Sequence, residues 1–172
     1  MLFDLEPSTL TIIIQLATAA VLGLVLGAER SIAGKSAGMR TFALVALGSC
    51  LFTIISVVVT TQYLGKVNFD PMRVTSAIIT GVGFIGAGLI LFRQSLLRGL
   101  TTAAGMWVAA GVGVAVGFGL YAMAVYTTLL TLLIFTAVWF VEAKLKLHFG
   151  RHTVEPITNQ PNEQMSDSEN YD

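Results

Sequence analysis

The sequence predicts an all-α protein, a polytopic membrane bundle of five transmembrane helices. Hydrophobic residues make up 55% of the 172 residues and charged residues only 12%, with a mean hydropathy of +0.78. A soluble domain carries about 25% charged residues. Five stretches contain no charged residue, and each is long enough to cross a hydrocarbon core of about 30 Å as a helix. Transmembrane strands are disfavoured because apolar and polar residues do not alternate.

The first predicted helix covers residues 9–28. It follows a short N-terminal segment, residues 1–8, which carries Asp4 and Glu6 but no Lys or Arg, unlike the start of a cleavable signal peptide. The other predicted helices cover residues 41–61, 74–92, 100–118 and 120–141. Residues 9–141 therefore form one predicted transmembrane domain. None of the five stretches contains proline, so no proline kink is expected.

The positive charges predict how the bundle is oriented. Eight of the ten Lys and Arg residues fall in the first connection, the third connection and the segment after the fifth helix. Connections rich in Lys and Arg stay in the cytoplasm, so we predict the N-terminus outside and the C-terminus inside. Residues 142–172 then form a cytoplasmic tail. This tail is polar and lacks apolar periodicity from about residue 152, where we predict disorder.

Composition and motifs argue against several functional classes. The single cysteine, Cys50, allows no intrachain disulfide. No Ser-His-Asp or Cys-His set can be placed at one site, so we predict that the protein is not an enzyme. No Asp or Glu lies near the middle of a predicted helix, and Mg²⁺ is usually held through carboxylates or water. We therefore predict no cofactor and no resident metal, with Mg²⁺ binding left as an alternative. No basic stripe interleaved with aromatics suggests nucleic acid.

Glycines predict close contacts between helices. The run from Gly81 to Gly86 matches the GxGxxG pattern of dinucleotide sites, but no strand precedes it and no acidic residue follows before Glu142. Small residues instead let helices approach closely in a membrane. Because they are so numerous, we also predict self-association. An alternative is that these glycines leave room for an ion or a small ligand. The predicted helix-packing glycines are Gly23, Gly27, Gly81, Gly83, Gly86 and Gly88.

Polar residues gather at the predicted cytoplasmic edge. Glu29 needs a cationic partner there, and we predict Arg40 across the first connection, because Arg30 should point elsewhere on the helix. Thr101 or Thr102 is predicted to cap the fourth helix. For Glu29, the two interpretations are a structural salt bridge and a site that binds a cation or senses pH. For the arginines, they are anchoring to lipid headgroups and a pocket that binds an anion. The predicted site comprises Glu29, Arg30, Arg40, Thr41, Arg98, Thr101 and Thr102.

Four sequence blocks resemble the MgtC/SapB family over about residues 10–140. They are Gly23–Arg30, Gly38–Gly48, Thr80–Gly88 and Arg98–Val108, and they add Gly38, Gly99 and Trp107 to the motif positions. The resemblance implies a multi-pass protein of the bacterial inner (plasma) membrane. It also implies a role in magnesium homeostasis or stress adaptation.

The resemblance leaves two functions open. The first is regulation of another membrane protein through helix–helix contacts, as the best-known family member resembles a regulator that acts on the membrane part of the F-type ATP synthase. The alternative is a channel or carrier for Mg²⁺ or another small ion. Longer members have a cytoplasmic ACT-like domain after the last helix. Only residues 142–172 follow here, so we expect this domain to be missing. The expected partners are the lipid bilayer, further copies of the chain and another inner-membrane protein.

Overall fold

The structure, a computed structural model, describes residues 8–63, 70–93 and 96–149, together with their side chains outside 91–97 and 139–149. Within these residues, five helices are long and apolar enough to cross a membrane. This finding confirms the predicted fold class and a multi-pass membrane protein. The helices are α1 (Thr9–Ile32), α2 (Met39–Gln62), α3 (Met72–Leu89), α4 (Leu100–Gly117) and α5 (Tyr121–Phe149).

The first two helices are longer at their facing ends than the sequence predicted. α1 continues through Glu29 and Arg30 to Ile32, because these charged residues favour a helix even where the apolar stretch has ended. Ser31 closes the connection to α2, since its Oγ accepts a hydrogen bond from the Met39 backbone N–H at 3.2 Å. The result is a tight helical hairpin with a connection of six residues, Ala33 to Gly38.

The connection between α3 and α4 contains a short hairpin that the sequence did not predict. Strands β1 (Leu91–Arg93) and β2 (Leu96–Arg98) pair antiparallel, with Leu91 opposite Arg98. α3 therefore ends at Leu89 and not at 92. Gly99 follows β2 with φ of +95°, a left-handed conformation that favours glycine. A side chain at this position would also overlap the carbonyl oxygen of Leu89.

The core of the bundle lies where α1, α2 and α4 pack against each other. α4 is the most buried helix, and glycine allows its close approach: Gly113 lies against the backbone of Ala46, and Gly117 against Cys50 and Thr53. Close backbone approach increases the van der Waals contact that holds helices together in lipid. The buried side chains of this core include Leu26, Phe42, Cys50, Met106, Val112 and Val116.

Only one narrow side of α5 is buried against the bundle, as far as its side chains are described. Ala124, Thr128, Thr131 and Phe135 are buried at helical spacing, and the other side chains described on this helix are mostly exposed and apolar. The compact unit that contains the bundle extends to Val138. The predicted disordered tail from residue 152, like the segment before residue 8, lies outside the described residues.

Gln15 ties the start of α1 to the end of α4. Its side chain is buried, and its Nε2 donates hydrogen bonds to the carbonyl oxygens of Val116 (3.1 Å) and Gly117 (3.2 Å). The last carbonyls of a helix lack partners within the helix, and lipid cannot supply them. The Gln15 amide supplies a partner to the Gly117 carbonyl and adds a second hydrogen bond at Val116, whose carbonyl also accepts from the Gly119 N–H at 2.9 Å. Gln15 was not predicted from the sequence as a packing residue, although a lone amide inside an apolar stretch was a usable signal.

Candidate functional site

Arg30 is the centre of the polar site. Only 4% of this residue is exposed, and its guanidinium carbon lies 3.6 Å from the centre of the Phe135 ring on α5. Its Nε donates a hydrogen bond to a carboxylate oxygen of Glu29. A cation on an aromatic face can contribute about 2 kcal/mol when it is shielded from water. The buried charge is therefore compensated from two sides.

The Phe135 ring is itself held in a pocket of the bundle. Its Cζ lies 2.7 Å from the point where a Cβ at Gly105 would be, and the ring of Phe42 is 3.2 Å from the same point. A methyl group added at position 105 would overlap the Phe135 ring unless that ring shifted, and it would lie in tight contact with Phe42. The position of Arg30 thus depends on α1, α4 and α5 together.

The structure corrects the predicted ion pair between Glu29 and Arg40. Glu29 pairs with its chain neighbour Arg30, while Arg40 is exposed in the first turn of α2. Neighbouring residues leave a helix in different directions, which favours Arg40 over Arg30 when the sequence is considered alone. The arginine side chain is long enough to fold back towards Glu29, and Phe135 fixes it there.

The rest of the predicted edge site is spread over the end of the bundle. Thr102 is buried, Thr41 is half-buried, and Arg98 and Thr101 are exposed. The predicted threonine cap is wrong, because α4 is preceded by Gly99 without a side-chain capping bond and both threonines lie in its first turn. Among the described residues, no three His, Cys, Asp or Glu side chains converge. The site therefore consists of the Glu29–Arg30 ion pair, while Arg40 and Arg98 are exposed and stand apart from it.

The predicted packing glycines fall into two groups. An added Cβ at Gly23 or Gly27 would lie within 2.9 Å of α2, and one at Gly86 would lie 3.5 Å from the Cβ of Ala103. These three glycines face neighbouring helices of the same chain. The remaining three, Gly81, Gly83 and Gly88, have no other heavy atom within 4 Å of such a Cβ.

One face of α3 is built from small residues and is open. It consists of Ser76, Thr80, Gly83 and Ala87, which follow each other at helical spacing and are all exposed. We call these four residues the small-residue face of α3. Phe84 stands beside it and is 83% exposed. The packed face of α3 is a different one and includes Thr75, Val82 and Gly86.

The three remaining motif residues have structural positions. Gly38 precedes α2, and a side chain there would overlap Ser31 Oγ, the acceptor for the Met39 N–H. Gly99 is the left-handed residue before α4. Trp107 is 52% exposed on α4. It is therefore available to lipid or to a partner.

Comparison with known proteins adds the family context. The sequence model of the MgtC family matches residues 16–144. A protein of Escherichia coli (strain K12) named putative magnesium transporter YhiD is 44% identical over 128 residues, which cover 73% of this chain and 60% of that protein. Protein SapB of Bacillus subtilis (strain 168) is 40% identical, covering 72% and 54%. Protein MgtC of Salmonella typhimurium (strain LT2) is 38% identical, covering 70% and 49%.

The chain thus spans about half to three-fifths of the length of these relatives. No solved structure matches it.

Proposed function

Because this chain belongs to the MgtC family, we propose that it acts in magnesium homeostasis or stress adaptation by regulating another membrane protein in a bacterial inner membrane. Regulation takes place through helix–helix contacts. The observation that carries this proposal is the small-residue face of α3, which is open along the helix.

The composition of this face suits a partner helix. Without a hydrophobic driving force inside lipid, helices associate through close van der Waals contact and through hydrogen bonds of Ser and Thr. Gly83 and Ala87 give the close approach, and Ser76 and Thr80 give the hydroxyl groups. The Thr80 hydroxyl donates to the Ser76 carbonyl at 2.9 Å, so it is satisfied before a partner arrives and can turn towards one afterwards.

The membrane part of the F-type ATP synthase is the partner that the family resemblance suggests. A second copy of the chain could use the same face, which would account for the predicted self-association. In either case the contact lies within the membrane, on a surface that the four other helices leave uncovered.

A second candidate function is transport of Mg²⁺ or another small ion. It is favoured by the name putative magnesium transporter given to the relative YhiD. The side chains of this chain support it less, because Glu29 is already compensated by Arg30 and no further acidic group joins it among the described residues. A pathway would need to be assembled from several subunits, with backbone carbonyls and threonines as ligands.

Partner capture tests the regulatory proposal. We expect Gly83→Leu to reduce co-purification of the membrane partner about tenfold, which corresponds to about 1.4 kcal/mol, because leucine holds the partner helix away. The bundle itself should tolerate the change, since nothing lies within 4 Å of the new Cβ. The measurement is quantitative mass spectrometry of proteins retained by the tagged chain from solubilised membranes.

Gly111→Leu is the matched control for this experiment. Gly111 is also exposed with nothing within 4 Å, but it lies on α4. It should retain the partner at the wild-type level. Equal capture by wild type and Gly83→Leu would refute contact through the small-residue face.

A further inference from the structure

An apolar groove separates α2 from α3 and has a volume of about 700 Å³. On α2 it runs from Arg40 and Thr41 to Phe52, and on α3 from Ile85 to Val74. Gly48 on α2 and Gly81 on α3 both line this groove, and neither has a heavy atom within 4 Å of an added Cβ. Neither glycine adds side-chain volume to the groove, so a larger side chain at either position would extend into open space.

The length of the groove matches one leaflet of a bilayer. The twelve helical steps from Arg40 to Phe52 correspond to about 18 Å at 1.5 Å per residue. A hydrocarbon core of about 30 Å divides into two leaflets of about 15 Å each. At the far end, the hydroxyl of Ser56 donates to the carbonyl of Pro71 at 3.3 Å and links α2 to the start of α3 beyond the groove.

The charge at the groove is confined to one end. Arg40 is exposed at this end, next to the half-buried hydroxyl of Thr41, whereas the remaining lining is apolar apart from Ser49. An arginine at a membrane edge attracts the phosphate of an anionic lipid, and it can bind that phosphate through two parallel hydrogen bonds. An apolar groove of leaflet length with a cation at one end is complementary in shape and polarity to a phospholipid.

We propose that this groove is a binding site for an anionic phospholipid, with one acyl chain between α2 and α3 and the headgroup phosphate on Arg40. A helix of a second copy fits less well, because it would cross both leaflets while the groove extends through one, and it would bring no anion to Arg40. The inference does not depend on the proposed regulatory function, since the small-residue face of α3 is a different surface.

Lipid retention by the purified chain tests the site. Native mass spectrometry would compare palmitoyl-oleoyl-phosphatidylglycerol with palmitoyl-oleoyl-phosphatidylcholine added to the protein in detergent. We expect the wild type to retain the anionic lipid preferentially. Filling the groove by Gly48→Leu or Gly81→Leu should lower its occupancy about tenfold. Arg40→Gln should lower it about fivefold and remove the preference over the zwitterionic lipid.

Two variants are the matched controls. Gly111→Leu adds the same side chain at an open position outside the groove, and Arg73→Gln removes an exposed arginine at the start of α3, away from the groove mouth. Both should retain the anionic lipid like the wild type. Because Gly48→Leu and Gly81→Leu fill the groove from opposite helices, one of them suffices if the other does not fold.

Four results would overturn the proposal. The first is equal retention of both lipids by the wild type, and the second is wild-type retention by the two groove-filling variants. The third is crosslinking between chains through Phe52→Cys in a Cys50→Ala background, which would show that a second copy occupies the groove. Unchanged retention by Arg40→Gln would likewise contradict the assignment of the headgroup.

Discussion

Gly113→Ala is expected to destabilise the bundle by about 3 kcal/mol or more. The added methyl group would overlap the carbonyl oxygen of Ala46 and lie 2.9 Å from its carbonyl carbon. Both atoms belong to the backbone of α2, which cannot rotate aside as a side chain can. Overpacking of a well-packed interior costs about 1–3 kcal/mol and more when the backbone must move. The measurement is the free energy of unfolding from an SDS titration followed by circular dichroism.

Gly111→Ala should have the opposite effect. Gly111 lies on the same helix two positions earlier, is exposed, and has no neighbour within 4 Å of an added Cβ. Alanine is favoured over glycine in a helix by about 1 kcal/mol, so this variant should be as stable as the wild type or more stable. If both variants changed stability in the same direction and by the same amount, close packing of α4 on α2 would be refuted.

Arg30→Met is expected to cost about 3–5 kcal/mol of stability. Methionine keeps the apolar volume of the side chain but removes the charge, which leaves Glu29, whose side chain is 19% exposed, without its cation. Breaking a buried ion pair from one side costs this much because the remaining charge is uncompensated. The Phe135 ring also loses the guanidinium that lies on it. The same SDS titration measures the loss.

Arg40→Met is the matched control for Arg30→Met. Arg40 is exposed, so its replacement should change stability by about 0.5 kcal/mol or less. The double variant Glu29→Gln with Arg30→Met should recover part of the loss, because no isolated charge remains. Similar stability of Arg30→Met and Arg40→Met would show that the burial of Arg30 contributes nothing to the fold.

The sequence predicted the five helices because each is an uncharged stretch long enough to cross a membrane. This property depends only on residues that are neighbours in the sequence. The sequence did not predict where α1 ends, because the charges of Glu29 and Arg30 mark the end of the apolar stretch but not of the helix. The short β1–β2 hairpin was missed for a similar reason. Its first residues, Leu91 and Phe92, continue the hydropathy of α3 without continuing its helix.

The candidate site was less predictable, because it depends on contacts between distant parts of the chain. The environment of Arg30 is decided by Phe135, and no local pattern connects the two residues. The spacing of Ser76, Thr80, Gly83 and Ala87 was present in the sequence. Which face of α3 stays open is decided by its packing on α4 through residues such as Gly86 and Ala103.

Ion flux into liposomes tests the central claim, that this protein regulates a membrane partner and does not carry ions itself. Purified protein would be reconstituted, and uptake of Mg²⁺, K⁺ and H⁺ would be followed with internal dyes, with protein-free liposomes as the baseline. We predict no flux above this baseline for any of the three ions. Flux of Mg²⁺ that is present in the wild type and lost in Glu29→Gln or Gly83→Leu would contradict the account and establish the protein as a transporter.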